Sequence, residues 1–112
     1  GTIYYSNSKK FTKNDKVFVI AHPLGVDTNG SFSEYITIPD HWVEKLPKSL
    51  TAKEIMMIGT SGFTAVKALN KSLKTILKYK NKPVLVTGAT GNVGMFIIFL
   101  LTNIGINIEA IR

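Results

Sequence analysis

The chain of 112 residues has no cysteine. Disulfides and thiolate zinc sites are therefore excluded, and the composition accords with a reducing cytoplasm. Histidine is scarce as well. His22 and His41 are the only two, the carboxylates near them are single, and no metal-ligand spacing appears. No metal is expected, and His22, in a loop with Pro23 and Gly25, reads as a surface residue. Long hydrophobic runs are missing too. The longest, Met95 to Leu101, is well short of the roughly 20 residues that cross a bilayer, so no membrane partner is expected. No basic segment followed by an apolar stretch opens the chain, so no signal peptide is visible. An initiator Met is also absent, which suggests a fragment that begins inside a domain. There is no internal repeat and no low-complexity segment.

Acidic residues are few: 7, against 14 lysines and arginines, for a net charge of +7. A balance of that sign suits an anionic ligand or nucleic acid. The lysines are spread along the chain, so the surface reads as solvated and basic, with no nucleic-acid partner. Hydrophobic residues make up 45%, enough for a core, and wholesale disorder is not expected.

The most informative stretch is Pro83 to Gly94, PVLVTGATGNVG. Val84, Leu85 and Val86 read as a strand buried on both faces, the parallel-sheet pattern. Gly88, Ala89, Thr90, Gly91, Asn92, Val93 and Gly94 follow, and then an apolar segment of helical length. Strand, glycine turn and helix form the construction that holds a pyrophosphate, because the first N–H groups of a helix are unpaired and point at the anion. The spacing is G-x-x-G-x-x-G, and its flanking strand and helix favour a dinucleotide over a bare tight turn.

Upstream, short β segments are predicted at Gly1 to Tyr5, Lys16 to Ile20 and Phe32 to Ile38, with an extended piece over Trp42 to Leu46. Asn14-Asp15 is a turn pair, and Ala21 to Ser31 must be a loop. Up to about Pro47 this reads as a piece of barrel or sandwich. The period then becomes helical. Thr51-Ala52-Lys53-Glu54 fits a capping box, and its helix stops at Gly59. Ser61 is placed to cap the next one. In that helix Phe63, Val66, Leu69, Leu73, Ile76 and Leu77 line one face and Lys67, Lys71, Lys74 and Lys78 the other. The helix from Asn92 to about Ile104 is apolar nearly all round, so a neighbouring domain or subunit should help to cover it. Gly105 ends it, and Asn107 to Ile111 is a second strand, which completes a βαβ unit.

The motifs taken together resemble the medium-chain dehydrogenase/reductase superfamily. The residues that carry the likeness are Asn14-Asp15-Lys16-Val17, Gly30 to Tyr35, Ile58 to Ala65 and Val84 to Gly94. The zinc-free quinone oxidoreductase branch is the nearest, and within it the acrylyl-CoA reductase-like subgroup. Asn14 stands where the family usually has Gly. The resemblance implies an α/β chain made of the end of a GroES-like β-barrel domain, residues 1–50, and the linking helices and first βαβ unit of a Rossmann doubly wound parallel sheet, residues 51–112. It implies NADP-dependent reduction of a quinone or an activated carbon–carbon double bond such as an enoyl-CoA. The partner would be a small-molecule substrate, and the full-length protein a homodimer. Carried over by motif, Thr90, Gly91, Asn92 and Val93 lie along the cofactor's pyrophosphate, and Gly88 and Ala89 belong to the same cofactor-binding turn. Thr60 and Thr64 approach its nicotinamide half, although a helix hydroxyl bonded to its own backbone is an equal reading of Thr64. Catalytic residues are not assignable.

Cofactor choice is decided near the end of the second strand. Glu109 sits mid-strand, too early to reach a ribose, and Arg112 sits at or just before the strand's end, which favours NADP. A short-chain or NmrA-like reductase also uses T-G-A-T-G-N-V-G, but there the glycine turn opens the chain. The remaining alternative is a truncated, non-catalytic product or a basic binding module.

Overall fold

The computed structural model describes residues Gly1–Arg112. The chain forms two compact units, Gly1–Gly59 and Thr60–Arg112.

The first unit is built on short pairings. Strand β1 (Val17–Phe18) runs antiparallel to β2 (Glu44–Lys45), with Val17 opposite Lys45 and Phe18 opposite Glu44. The predicted strand at Gly1 to Tyr5 reduces to one bridge, Thr2 with Lys16, flanked by backbone bonds from Ile3 N to the Asp15 carbonyl (3.0 Å) and from Val17 N to the Gly1 carbonyl (3.0 Å). Phe32 to Ile38 forms no ladder at all, and Phe32 and Tyr35 stand exposed. Its alternation is real, but a strand exists only with a partner, and the two sheets that form, β1 with β2 and Val84–Thr87 with Ile108–Ile111, do not include this segment. The extended piece predicted over Trp42 to Leu46 is present as β2, with a 3-10 turn (Asp40–Trp42) just ahead of it. The small core holds Phe11, Val43 and Ile55.

The Asn14-Asp15 turn is as read. Asn14 adopts φ 73, a left-handed conformation that Asn tolerates better than most residues. The Asp15 carboxylate accepts a bond from Thr12 N (2.9 Å) and meets Lys45 Nζ at 2.8 Å. The lysine and that amide hold its pKa below the ordinary 3.8.

Helix α1 (Ala52–Lys78) is divided at Gly59, whose φ 50 and ψ −155 are not helical. The capping box forms in full. Glu54 N donates to Thr51 Oγ1 (3.2 Å), and Thr51 N donates back to Glu54 Oε2 (2.7 Å). The Thr51 amide and hydroxyl lower the pKa of Glu54. Ser61 makes no matching cap. The hydroxyl that bonds in that turn is Thr64's, to the Thr60 carbonyl.

In the second unit β3 (Val84–Thr87) lies parallel to β4 (Ile108–Ile111), in register from Val84 opposite Ile108 to Thr87 opposite Ile111. Helix α2 (Asn92–Asn103) connects them. Ala65, Val86, Leu101 and Ile106 form the core, with Leu101 and Ala65 wholly enclosed. The end of α2 is a Schellman arrangement: Ile106 N donates to the Leu101 carbonyl (3.1 Å) and Gly105 N to that of Thr102 (3.0 Å), with Gly105 at φ 75. Ile106 and Leu101, the apolar pair that accompanies this motif, are both buried. The expectation of a strand buried on both faces fails at Leu85, which is 54% exposed. With two strands in the sheet, one face of β3 has nothing over it. Met95 and Phe99 of α2, and Ile104 at its C-cap, are likewise exposed.

Candidate functional site

The bend between β3 and α2 starts at Gly88, which takes φ 63 and lets the chain reverse with no side chain in the way. Gly91 N donates to the Gly88 carbonyl at 3.0 Å and closes a tight turn. Gly91 is also the N-cap of α2, and Met95 N returns to its carbonyl at 2.9 Å. The third glycine is fixed by contact. A Cβ on Gly94 would lie 2.4 Å from the Gly88 carbonyl oxygen and 3.0 Å from Ala89 Cα. The first turn of α2 thus rests directly on the loop backbone, and only glycine permits this.

Hydrogen bonds sort the loop's amides into two sets. Ala89 N is committed to the Ile111 carbonyl (3.1 Å) and Gly91 N to Gly88. The amides of Thr90, Asn92, Val93 and Gly94 have no partner in the chain. The cap is a glycine with no side chain to satisfy them, and the first turn of α2 has no acid to compete for them. Four free donors at a helix start, with open space beside Gly88, fit a diphosphate. Ala89 and Gly91 contribute shape to such a cradle rather than donors.

The bond from Ala89 to Ile111 also brings the end of β4 to the loop, and Arg112 follows directly, exposed. Glu109 pairs with Leu85, within the ladder. Gly88 to Val93 and Arg112 therefore gather at one end of the sheet. Thr60 and Thr64 lie on α1, exposed, and no hydrogen bond links them to the loop. The Thr64 hydroxyl donates to the Thr60 carbonyl at 2.8 Å, the backbone bond that was one of its two readings.

The histidines do not make a metal centre, and no group of three or more His, Asp or Glu gathers anywhere. They flank Trp42 instead. His22 stacks on it (centroids 5.1 Å apart, planes 9°), and His41 meets it edge-on at 6.1 Å. Asp40 beside them accepts a bond from Ser8 Oγ at 2.8 Å, which lowers its pKa.

No family model matches the chain. Individual proteins do. The putative quinone oxidoreductase YhfP of Bacillus subtilis (strain 168) is 38% identical over 110 residues, which is 98% of this chain and 33% of that protein. Its crystal structure with NAD bound superposes with a TM-score of 0.86. The acrylyl-CoA reductase AcuI of Ruegeria pomeroyi is 32% identical over 99% of this chain and 34% of its own length. The crystal structure of YhdH from E. coli K-12, which holds NADPH, gives a TM-score of 0.90 at 28% identity over the whole chain and 35% of that structure. The chain belongs to the quinone oxidoreductase-like group of the medium-chain dehydrogenases/reductases. The chain spans about a third of the length of the relatives it matches. The match includes the residues ahead of the glycine turn, which a short-chain reductase would not supply.

Sequence reading missed one feature of the second unit. The lysines are indeed spread, but the acids are not: none occurs between Glu54 and Glu109. Counting the acids apart from the bases would have exposed it.

Proposed function

We propose that the chain is the central part of an NADPH-dependent, zinc-free oxidoreductase that reduces a quinone or an activated carbon–carbon double bond such as that of an enoyl-CoA. In this reading residues 1–50 end a GroES-like barrel domain, and residues 51–112 open a Rossmann domain. The observation that carries it is the bend after β3, with four unpaired amides over a loop that Gly94 allows α2 to touch. Thr90, Asn92, Val93 and Gly94 hold the diphosphate by their N–H groups, and Gly88, Ala89 and Gly91 shape the loop. Arg112, at the strand's end, takes the extra phosphate that marks NADP. Thr60 and Thr64 stand toward the nicotinamide half. When bound, the nicotinamide supplies the hydride; the protein's part is position and electrostatics. The same field of amides and cations that favours the cofactor also favours charge developing on the acceptor.

The test is NADPH fluorescence titrated with the protein, alone and against competing DNA. Binding that survives the DNA supports the reading, and salt-sensitive DNA binding with no cofactor signal defeats it. An Arg112→Ala variant should weaken NADPH by about tenfold while NADH changes little. The chain of 112 residues by itself is expected to show little or no turnover.

A further inference from the structure

In the first unit the loop of residues 23–30 folds back on itself. Val26 N and Asp27 N both donate to the Pro23 carbonyl at 3.1 Å, and Gly25 N donates to the Thr28 carbonyl at 3.1 Å. The Thr28 hydroxyl adds a bond to the Pro23 carbonyl at 3.3 Å. As the chain leaves, Gly30 passes against Gly25: a Cβ on Gly30 would lie 3.2 Å from Gly25 Cα. At the entry to this clasp Ala21 is held at φ 60, a left-handed conformation that strains a residue with a side chain. His22 follows at once and stacks on Trp42, with ring planes 9° apart. The stack is thus carried on a strained stem.

Asn29 stands in the clasp, and it is the one asparagine of the chain followed by glycine. The side-chain amide of asparagine is open to attack by the backbone nitrogen of the next residue, and glycine leaves that nitrogen unhindered. Elsewhere the nitrogen is engaged. The amides of Ser8, Asp15, Lys82 and Ile104, each next after an asparagine, donate hydrogen bonds of 3.0, 3.1, 2.8 and 3.2 Å. Lys71 lies inside α1 and Ile108 in β4. Val93, after Asn92, is β-branched and set in the first turn of α2. Gly30 N donates no hydrogen bond, and the Asn29 side chain is exposed and has no partner.

We propose that Asn29–Gly30 is a modification site, at which spontaneous deamidation opens the clasp and releases His22 from Trp42. The Gly30 nitrogen gives its proton to water and bonds to Asn29 Cγ. The Cγ–Nδ2 bond breaks and ammonia leaves, which closes a cyclic imide. Water then opens the imide at either of its two carbonyls. Opening at Cγ gives aspartate on an unchanged backbone. Opening at the main-chain carbonyl gives isoaspartate, with an added methylene in the main chain and a free α-carboxylate. Water is the only co-reactant, and nothing is oxidised or reduced. The close approach of Gly30 to Gly25 has no room for that methylene. Gly30 is displaced, or Thr28 is drawn away from Gly25 N, and the strain at Ala21 relaxes as His22 leaves the indole.

The test ages the chain at physiological temperature and mildly alkaline pH, beside a peptide of its residues 26–33, VDTNGSFS. Peptide mapping by mass spectrometry, and methyl transfer by an isoaspartyl methyltransferase, count the product. Asn29 should convert at a rate comparable to the peptide's and ahead of every other asparagine, and Asn29→Gln should lose the isoaspartate signal from this loop. A native rate more than about tenfold below the peptide's would mean that the fold shields the site, and overturns the proposal. Trp42 is the only tryptophan, so its emission reads the stack. Emission should move, as isoaspartate accumulates, toward that of His22→Ala. Freshly made Asn29→Asp adds the charge without the methylene and should keep the starting emission. Isoaspartate without an emission change overturns the opening of the clasp, and so does Asn29→Asp matching the aged chain. Loss of far-UV circular dichroism in step with the emission would make the event unfolding of the chain, which overturns a local opening as well.

Discussion

The first unit is tied together by side chains and the second by its backbone. In Gly1–Gly59, carboxylates and hydroxyls do the joining: Asp15 to Thr12 and Lys45, Ser8 to Asp40, Thr51 to Glu54. In Thr60–Arg112 the only side-chain hydrogen bonds are those of Thr64 and Ser72 to their own helix. There the parallel ladder, the Schellman end of α2 and the glycine bend are main-chain devices. The contrast shows how one short chain divides its labour. The amides left free at the bend are framed by backbone alone, and a polar side chain nearby would compete for the same donors. A loop-rich unit has few ladders and must secure its turns with carboxylates instead.

This contrast implies a graded set of responses. Leu101→Ala removes the one large side chain of the second unit that is fully enclosed, and should cost about 2–5 kcal/mol in chemical denaturation. Gly94→Ala forces a Cβ onto the loop backbone. About 1–3 kcal/mol of stability should go, and NADPH affinity by fluorescence should fall more than the stability loss alone explains. Equal behaviour of Gly94→Ala and wild type in both measurements would show that the helix does not depend on that close approach. Thr51→Ala opens the capping box of the first unit at about 1 kcal/mol, read as a drop in the denaturation midpoint. The smallest effect is that of acid. Asp15, Asp40 and Glu54 have pKa values held below their ordinary 3.8 to 4.5, so their contribution is present above those values. It is lost as pH falls below about 4 through the lowered folded-state values. Amide exchange around Asp15 and Thr51 should therefore quicken in that window before exchange in β3 and β4 does. The reverse order would break the comparison.

What was legible in the sequence was local. Gly59, Gly105 and the Thr51–Glu54 box announce helix ends through the residues that make them, and each appears where expected. The bend at Gly88 to Gly94 is equally local, since its contacts lie within one turn. The strands at Gly1 to Tyr5 and Phe32 to Ile38 were misjudged because a strand depends on a distant partner, which alternation cannot supply. The commitment of the Ala89 amide was hidden for the same reason: its acceptor, Ile111, lies on another strand. The exposed Leu85, Met95 and Phe99 show the same limit, because burial depends on what else is folded against the unit.

That single bond from Ala89 to Ile111 has a bearing on synthesis. The bend's own turn can close as soon as α2 is made, yet the tether that joins it to the sheet waits until β4 has emerged from the ribosome. Until then the turn is formed but not yet fixed against the sheet, and translation of the last few residues completes its frame.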